Sequence, residues 1–236
     1  MTQTKGGSVP MSSTSSSWKS EIMAVFQKEW KSESRSLSGI LTTALICLIS
    51  VIIVNNITDS VQLRPIVSSG MYWMILVFAA SISLPRTFLQ EEDNRTADFW
   101  RLMARPEAIY WGKALFNIAQ MLVATTLMSV AYVFMVKVTI VNPWLFIAMA
   151  FGGAVSIAST ATLAGAIASA ANNRHALSTA ISAPLLIFLI NLGITGTATS
   201  FGEALPYGEN GAIGMIAYAV ATCSIGPVVY SKIWKN

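Results

Sequence analysis

The stretch LSGILTTALICLISVIIV, residues 37–54, decides the fold class of this 236-residue chain. It contains no charged side chain and ends at the polar pair Asn55-Asn56. A run of this length approaches what a helix needs to cross the roughly 30 Å hydrocarbon core of a bilayer. The run therefore predicts a transmembrane helix that stays in the protein as a signal anchor.

Five further apolar runs follow the first, at residues 66–84, 108–136, 144–171, 176–194 and 211–230. Over the whole chain 54% of the residues are hydrophobic and only 11% are charged, whereas about a quarter of a soluble domain is charged. The sequence predicts an all-α polytopic membrane protein whose six spans occupy residues 37–236. The third run holds one charge, Lys113, which we expect to snorkel to the membrane surface.

Two segments precede the first span. Residues 1–17 are rich in Ser, Thr and Gly and predict a disordered tail. In residues 18–36, large apolar side chains recur every four positions, at Trp18, Ile22, Phe26 and Trp30. This spacing predicts an amphipathic helix that lies along the membrane surface.

The distribution of basic residues predicts the orientation. Alternating the six spans places every lysine and arginine on one side, except Arg64 and Lys137. Cytoplasmic loops of membrane proteins carry an excess of these residues. We therefore expect a cytoplasmic tail at each end of the chain. The net charge of +4 is explained by this rule, and nucleic acid is not an expected partner.

A charged segment, PRTFLQEEDNRTADFWRLMARPE, connects the second and third spans at residues 85–107. It is dense in both signs of charge, which suits a docking surface for a soluble partner better than a pore lining. The other interpretation is a solvated loop that carries positive-inside charge. Its candidate contact residues are Phe88, Glu91, Glu92, Asp93, Arg95 and Arg101.

Enzyme chemistry finds no support in the sequence. No phosphate-binding GxxxxGK[ST] loop occurs, because Gly112-Lys113 lacks the preceding glycine. One histidine, His175, lies in a short polar turn, and the two cysteines lie in separate apolar runs, so no catalytic set or metal site is predicted. The middles of the spans are uncharged, which disfavours a self-powered proton antiporter. If the protein moves a substrate, we expect a partner to supply the energy.

Two features at membrane depth leave alternatives open. Small residues recur every four positions in the fourth run, at Gly152, Ser156, Thr160, Ala164 and Ala168. Such a stripe lets helices approach closely, either inside the protein or across a dimer interface. The glycine-rich segment 193–211 is predicted to form either a plain loop or a pair of short re-entrant helices.

The order of these parts resembles the membrane subunit of exporter-like ABC-2 (type V) transporters. Within that class the chain resembles the CcmB family of membrane permeases in cytochrome c maturation, over roughly residues 20–235. The residues that carry the resemblance lie in two stretches, first Arg86-Thr87-Phe88, Glu91-Glu92-Asp93, 102–109 (LMARPEAI) and 112–117 (GKALFN), then 166–173 (AIASAANN) and 184–187 (PLLI).

The resemblance implies a permease subunit in the bacterial inner membrane, powered by a separate CcmA-like ATPase that binds ATP. Residues 85–107 would then be a cytoplasmic coupling helix seated in that ATPase. CcmC-like and CcmD-like membrane proteins and a second copy of the chain are the other expected partners. Haem would be transported by this chain or released from a partner, with no cofactor bound directly. The alternatives are a permease for a lipid, drug or glycan, and a scaffold that transports nothing.

Overall fold

Seven helices make up the part of the chain that the structure, a computed structural model, describes: residues 17–36, 38–58, 63–84, 88, 91, 105–171 and 173–233. They are α1 (Trp18–Ser36), α2 (Ser38–Thr58), α3 (Pro65–Ser83), α4 (Pro106–Val136), α5 (Pro143–Ala168), α6 (Arg174–Ser200) and α7 (Gly211–Ile233). Helices α2 to α7 are each long and apolar enough to cross a membrane. The predicted all-α, six-span fold is confirmed, and these ranges contain no strand.

Local sequence signals set several helix ends. Proline occupies the first turn of α3, α4 and α5, where its missing N–H would have no helical partner. Lys137 ends α4 by adopting a left-handed backbone conformation, with a φ of 55°. The Glu33 side chain, near the end of α1, accepts hydrogen bonds from the backbone N–H groups of Gly39 (2.7 Å) and Ile40 (2.9 Å). Helix α1 thus caps the first span.

The centre of the bundle is organised around Trp73 of α3, which is completely buried. Its indole N–H donates a hydrogen bond to the Thr197 hydroxyl at 2.9 Å. Gly153 of α5 and Gly193 of α6 face the ring, and a Cβ atom at either position would overlap it. The two glycines therefore create the space that the indole fills.

This packing corrects the prediction for residues 193–211. Helix α6 continues through Gly193 and Gly196 to Ser200, and turns occupy residues 201–210 before α7 begins. The segment is neither a loop from residue 193 onward nor a pair of re-entrant helices. Its first two glycines serve close packing inside a helix, against Trp73 and Met149, rather than breaking that helix.

The expectation for Lys113 is also wrong. Its side chain is only 1% exposed, so the ammonium does not snorkel to the surface. It turns inward, toward acidic side chains that precede α4 in the sequence. Those partners offset the desolvation of the charge, and they define the site described next.

Candidate functional site

Helix α1 lies directly on the first part of α4. A Cβ atom at Gly112 would come within 2.6 Å of the Val25 side chain and 3.0 Å of the Ile22 carbonyl oxygen. Only a glycine lets the two helices approach this closely. The buried face of α1 is formed by Ile22, Val25 and Glu29, at the spacing of one side of a helix.

This face differs from the apolar stripe expected for α1. Trp18 and Trp30 are 44% and 46% exposed, and the Phe26 and Trp30 rings stack with centroids 6.1 Å apart. The predicted stripe and the buried face share only one residue, Ile22, and that residue is buried. Helix α1 therefore has two apolar faces, one packed on α4 and one turned outward.

Four charged side chains meet where α1, α4 and the segment around residue 91 come together. We call Lys28, Glu29, Glu91 and Lys113 the charge cluster. The Lys113 ammonium lies 2.8 Å from Glu91 Oε2 and 3.4 Å from Glu29 Oε1. The Lys28 ammonium lies 2.9 Å from Glu29 Oε1 and also pairs with Glu91. Each charge thus has two opposite charges beside it.

Burial increases from the rim of the charge cluster to its centre. The exposed fraction of the side chain falls from 32% for Lys28 to 14% for Glu91, 11% for Glu29 and 1% for Lys113. Unpaired charges at such depth would be strongly destabilising, whereas two lysines and two glutamates compensate one another. The cluster has a formal net charge of zero.

The pKa values outside the spans reflect this pairing. Burial alone would raise the pKa of Glu91, but the Lys113 and Lys28 ammonium groups outweigh it, and the pKa lies below its ordinary value. Burial alone would lower the pKa of Lys28, but the Glu29 and Glu91 carboxylates raise it above its ordinary value. Both groups are therefore charged at neutral pH.

An apolar cluster surrounds the charges. The Phe88 ring lies with its centroid 4.7 Å from the Lys113 ammonium, a cation–π contact, and meets the Tyr230 ring of α7 edge to face at 5.3 Å. We call this group the Phe88 cluster: Val25, Phe88, Ile109, Tyr110, Ala114, Ala166 and Tyr230. It joins residue 88 to α1, α4, α7 and the end of α5.

The predicted docking residues fall into two groups. Phe88 and Glu91 are brought together, and both face this chain's own helices. The other four, Glu92, Asp93, Arg95 and Arg101, lie outside the described residues.

The sequence interpretation missed Lys28, Glu29 and Lys113 as members of a site. One signal was present, because a lysine inside an apolar span requires an acidic partner or access to water.

The stripe of small residues lies inside the chain, against α7. The Ser156 hydroxyl donates to the Met215 carbonyl oxygen at 2.9 Å, and the Thr160 hydroxyl donates to the Tyr218 hydroxyl oxygen at 3.2 Å. Ala164 and Ala168 are fully buried, and a Cβ at Gly152 would meet the Met215 side chain at 3.5 Å. Of the two uses considered for the stripe, these contacts belong to packing within one chain.

The two cysteines, Cys47 and Cys223, are free thiols outside the site. The backbone of His175 lies in the first turn of α6, and its side chain lies outside the described part of the structure. Within the described ranges, no three His, Cys, Asp or Glu side chains are grouped so as to hold a metal ion.

Comparison with known proteins identifies the family. The family model for the CcmB protein matches residues 20–232, nearly the whole chain. A search of curated proteins finds no match. The family match agrees with the six-span helical fold, and CcmB proteins are membrane permeases of haem export in cytochrome c maturation. The chain therefore belongs to the CcmB family.

Proposed function

We propose that this chain is the membrane subunit of an ATP-driven complex that handles or releases haem for cytochrome c biogenesis, with ATP hydrolysed by a separate CcmA-like subunit. One observation carries the proposal. The start of the charged 85–107 segment is tied to transmembrane helices by a buried charge cluster and by an aromatic contact at Phe88. A segment that receives motion from a partner needs such an attachment.

The coupling argument is mechanical. A subunit that takes its energy from another chain must convert a push at its surface into movement of its spans. Glu91 contacts Lys113 of α4 and Lys28 of α1, and Phe88 contacts Tyr230 of α7. A displacement of residues 88–91 is thereby transmitted to three helices, because packed and ion-paired elements do not move independently.

The orientation follows from the same assignment. The charge cluster lies at the cytoplasmic side of the bacterial inner membrane, so both chain termini are cytoplasmic and the 201–210 turns are periplasmic. The positive-inside distribution supports this placement. CcmC-like and CcmD-like proteins are the proposed membrane partners, and haem is the cargo that the complex moves or releases.

A second copy of the chain completes the proposed complex. Asn191 is exposed on α6, seven residues after the exposed Pro184 and thus on the same side of that helix. Polar side chains within membrane spans face other helices far more often than lipid, and asparagine can both donate and accept across a twofold axis. Disulfide formation between Asn191→Cys chains, compared with Ile213→Cys on α7, tests this contact. Equal crosslinking at the two positions would contradict it.

The test of the proposed function is a pull-down of the tagged chain in mild detergent, with mass spectrometry of the bound proteins. We expect an ATPase subunit together with a haem-handling membrane protein. If the ATPase is recovered together with a protein of lipid, drug or glycan export, that substrate replaces haem in the proposal. Recovery of no ATPase would contradict the proposal and leave a scaffold role.

A charge-reversed variant locates the docking contact. The pair Glu92→Lys and Asp93→Lys should reduce the recovered ATPase at least tenfold, because charge complementarity steers and holds such interfaces. Glu209→Lys, in the exposed turn before α7, is the matched control and should leave recovery unchanged. Equal recovery from both variants would remove the docking role of the 85–107 segment.

A further inference from the structure

Lys113 is an unusual residue for the position it occupies. It lies in the second turn of a span whose neighbouring positions, Gly112 and Ala114, are buried and apolar. A lysine here could be replaced by an apolar residue without loss of packing volume. A buried ion pair is often no more stabilising than well-packed apolar side chains, so fold stability alone does not account for it.

What Lys113 adds is a connection between separate parts of the chain. Its ammonium contacts Glu29 of α1 and Glu91 of the 85–107 segment, and it also lies over the Phe88 ring. If residues 88–91 moved away from α4, the Lys113 charge would lose two of these contacts while remaining enclosed by apolar walls. Moving Phe88 and Glu91 away from α4 is therefore strongly disfavoured. Moving them together with α4 keeps the contacts of Lys113 and carries no such cost.

Helix α1 is held to the same unit in two ways. Gly112 brings its backbone against α4, and Glu29 joins it to Lys113. Helix α7 enters through Tyr230, which meets Phe88, and through Gly226, where a Cβ atom would overlap the Tyr110 side chain. The beginning of α4 takes part in all of these contacts except that between Tyr230 and Phe88.

We propose that Lys113 is a positioning residue for coupling. Through Glu91 and Glu29 it locks Phe88, Glu91, α1 and the first turns of α4 into one rigid unit, which moves as a whole when the partner ATPase changes conformation. The coupling part rests on the proposed function. The locking part does not, because it concerns contacts within this chain alone.

The locking part is tested by hydrogen–deuterium exchange on the purified chain in nanodiscs. Lys113→Met keeps a long, unbranched side chain and removes its charge. We expect amide exchange at Phe88 and Glu91 and in α1 to rise at least tenfold, with no change in α3. Lys31→Met, at an exposed position of α1 outside the charge cluster, is the control and should change exchange by less than threefold. Equal exchange in the two variants would overturn the proposal.

A complete inversion of the charge cluster separates attachment from general damage. The variant with Lys28→Glu, Glu29→Lys, Glu91→Lys and Lys113→Glu keeps every opposite-charge contact and the net charge. It should restore the protection of the Phe88 and Glu91 amides to within threefold of the original chain. If it exchanges as fast as Lys113→Met, the lock does not depend on charge pairing and the proposal fails. A Lys113→Met chain that does not insert leaves this inverted variant as the deciding measurement.

The coupling part is tested with the complete complex. Lys113→Met should retain bound ATPase and ATP hydrolysis within twofold, while ATP-dependent cytochrome c maturation falls at least tenfold. Retained maturation would overturn the coupling role even if exchange had risen. Failure of the unmutated chain to bind any ATPase would instead refute the proposed function, and it would leave the exchange results to decide the lock.

Discussion

The centre of the helical bundle and its α1 end are held together by different forces. At the centre, Trp73 fills the space left by Gly153 and Gly193 and donates one hydrogen bond to Thr197. At the α1 end, two lysines and two glutamates are paired beside aromatic rings. Shape complementarity fixes one arrangement of helices, because any shift of the indole produces an overlap. An ion-paired junction tolerates movement as a unit but resists separation.

The same contrast separates the two acidic side chains that join distant parts of the chain. Glu203 pairs with Arg64 at 2.5 Å and accepts a hydrogen bond from the Ile66 N–H at 2.8 Å, at the rim of the bundle. Arg64 is 76% exposed, so water screens this pair. The Glu91 side chain is as buried as that of Glu203, but its partner Lys113 is only 1% exposed, so water does not screen that pair. Glu203 thus forms a weak, solvent-screened ion pair, whereas Glu91 forms a strong, buried one.

The largest loss of stability is expected from a substitution in the charge cluster, at the α1 end of the bundle. Glu91→Gln removes a carboxylate that Lys28 and Lys113 share and should lower the free energy of unfolding by about 3 kcal/mol, as expected when one partner of a buried pair is removed. Thermal unfolding of the purified chain in one detergent measures this change in the free energy of unfolding. Glu209→Gln, an exposed residue, is the control. A change below about 1 kcal/mol would mean that the buried charges are not interdependent.

The next largest effect on stability is expected at the centre of the bundle, around Trp73. Gly153→Ala places a methyl group in the Trp73 ring and should cost about 2 kcal/mol, the usual range for overpacking a core. Gly70→Ala, where the nearest atom to the new methyl group is 4.0 Å away, gives a matched control with ordinary contacts. The same unfolding measurement applies. Equal stability of the two variants would show that the indole is free to shift.

Lowering the pH should have a smaller effect, on the stabilisation that the Glu91 carboxylate provides. The pKa of Glu91 lies below its ordinary value of 4.5, so its stabilisation is complete above that pH and is lost as the pH falls through the folded value. The difference in melting temperature between the original chain and Glu91→Gln should therefore narrow as the pH drops below 4.5. A constant difference down to pH 3 would contradict the pairing. Lys28, whose pKa is raised above its ordinary value by the Glu29 and Glu91 carboxylates, stays charged throughout this range.

The smallest effect on stability is expected for the exposed ion pair between Arg64 and Glu203. Arg64→Gln should cost less than about 1 kcal/mol, because the pair is screened by solvent. Raising the salt concentration should reduce the difference further, whereas it should hardly change the effect of Glu91→Gln. Similar salt dependence for the two variants would erase the distinction between the ends of the bundle.

The sequence predicted the six spans because hydrophobic length is a local property. The run at 37–54 needs no information from the rest of the chain. The prediction for residues 193–200 is wrong because the partner of Gly193 is Trp73, which lies in another helix. A glycine-rich segment alone favours a loop or a broken helix, whereas Gly193 admits a neighbouring side chain within a continuous helix.

The site was harder to predict for a related reason. Phe88 and Glu91 were selected for their charged surroundings, but their orientation toward α4 depends on Lys113 and on Glu29. These residues are far apart in sequence, and only the packing of α1 on Gly112 brings them together. Lys113 was expected at the surface because a lysine near the end of a span usually reaches water. The acidic partners made burial favourable instead.

The equality of positive and negative charges in the cluster has an electrical consequence. A single charge that crosses the full membrane potential exchanges about 2.3 kcal/mol with the field for every 100 mV. Lys28, Glu29, Glu91 and Lys113 sum to zero, so a joint displacement of these four side chains would perform almost no electrical work. Under the proposed coupling, the membrane voltage would therefore neither drive the movement of these four charges nor oppose it.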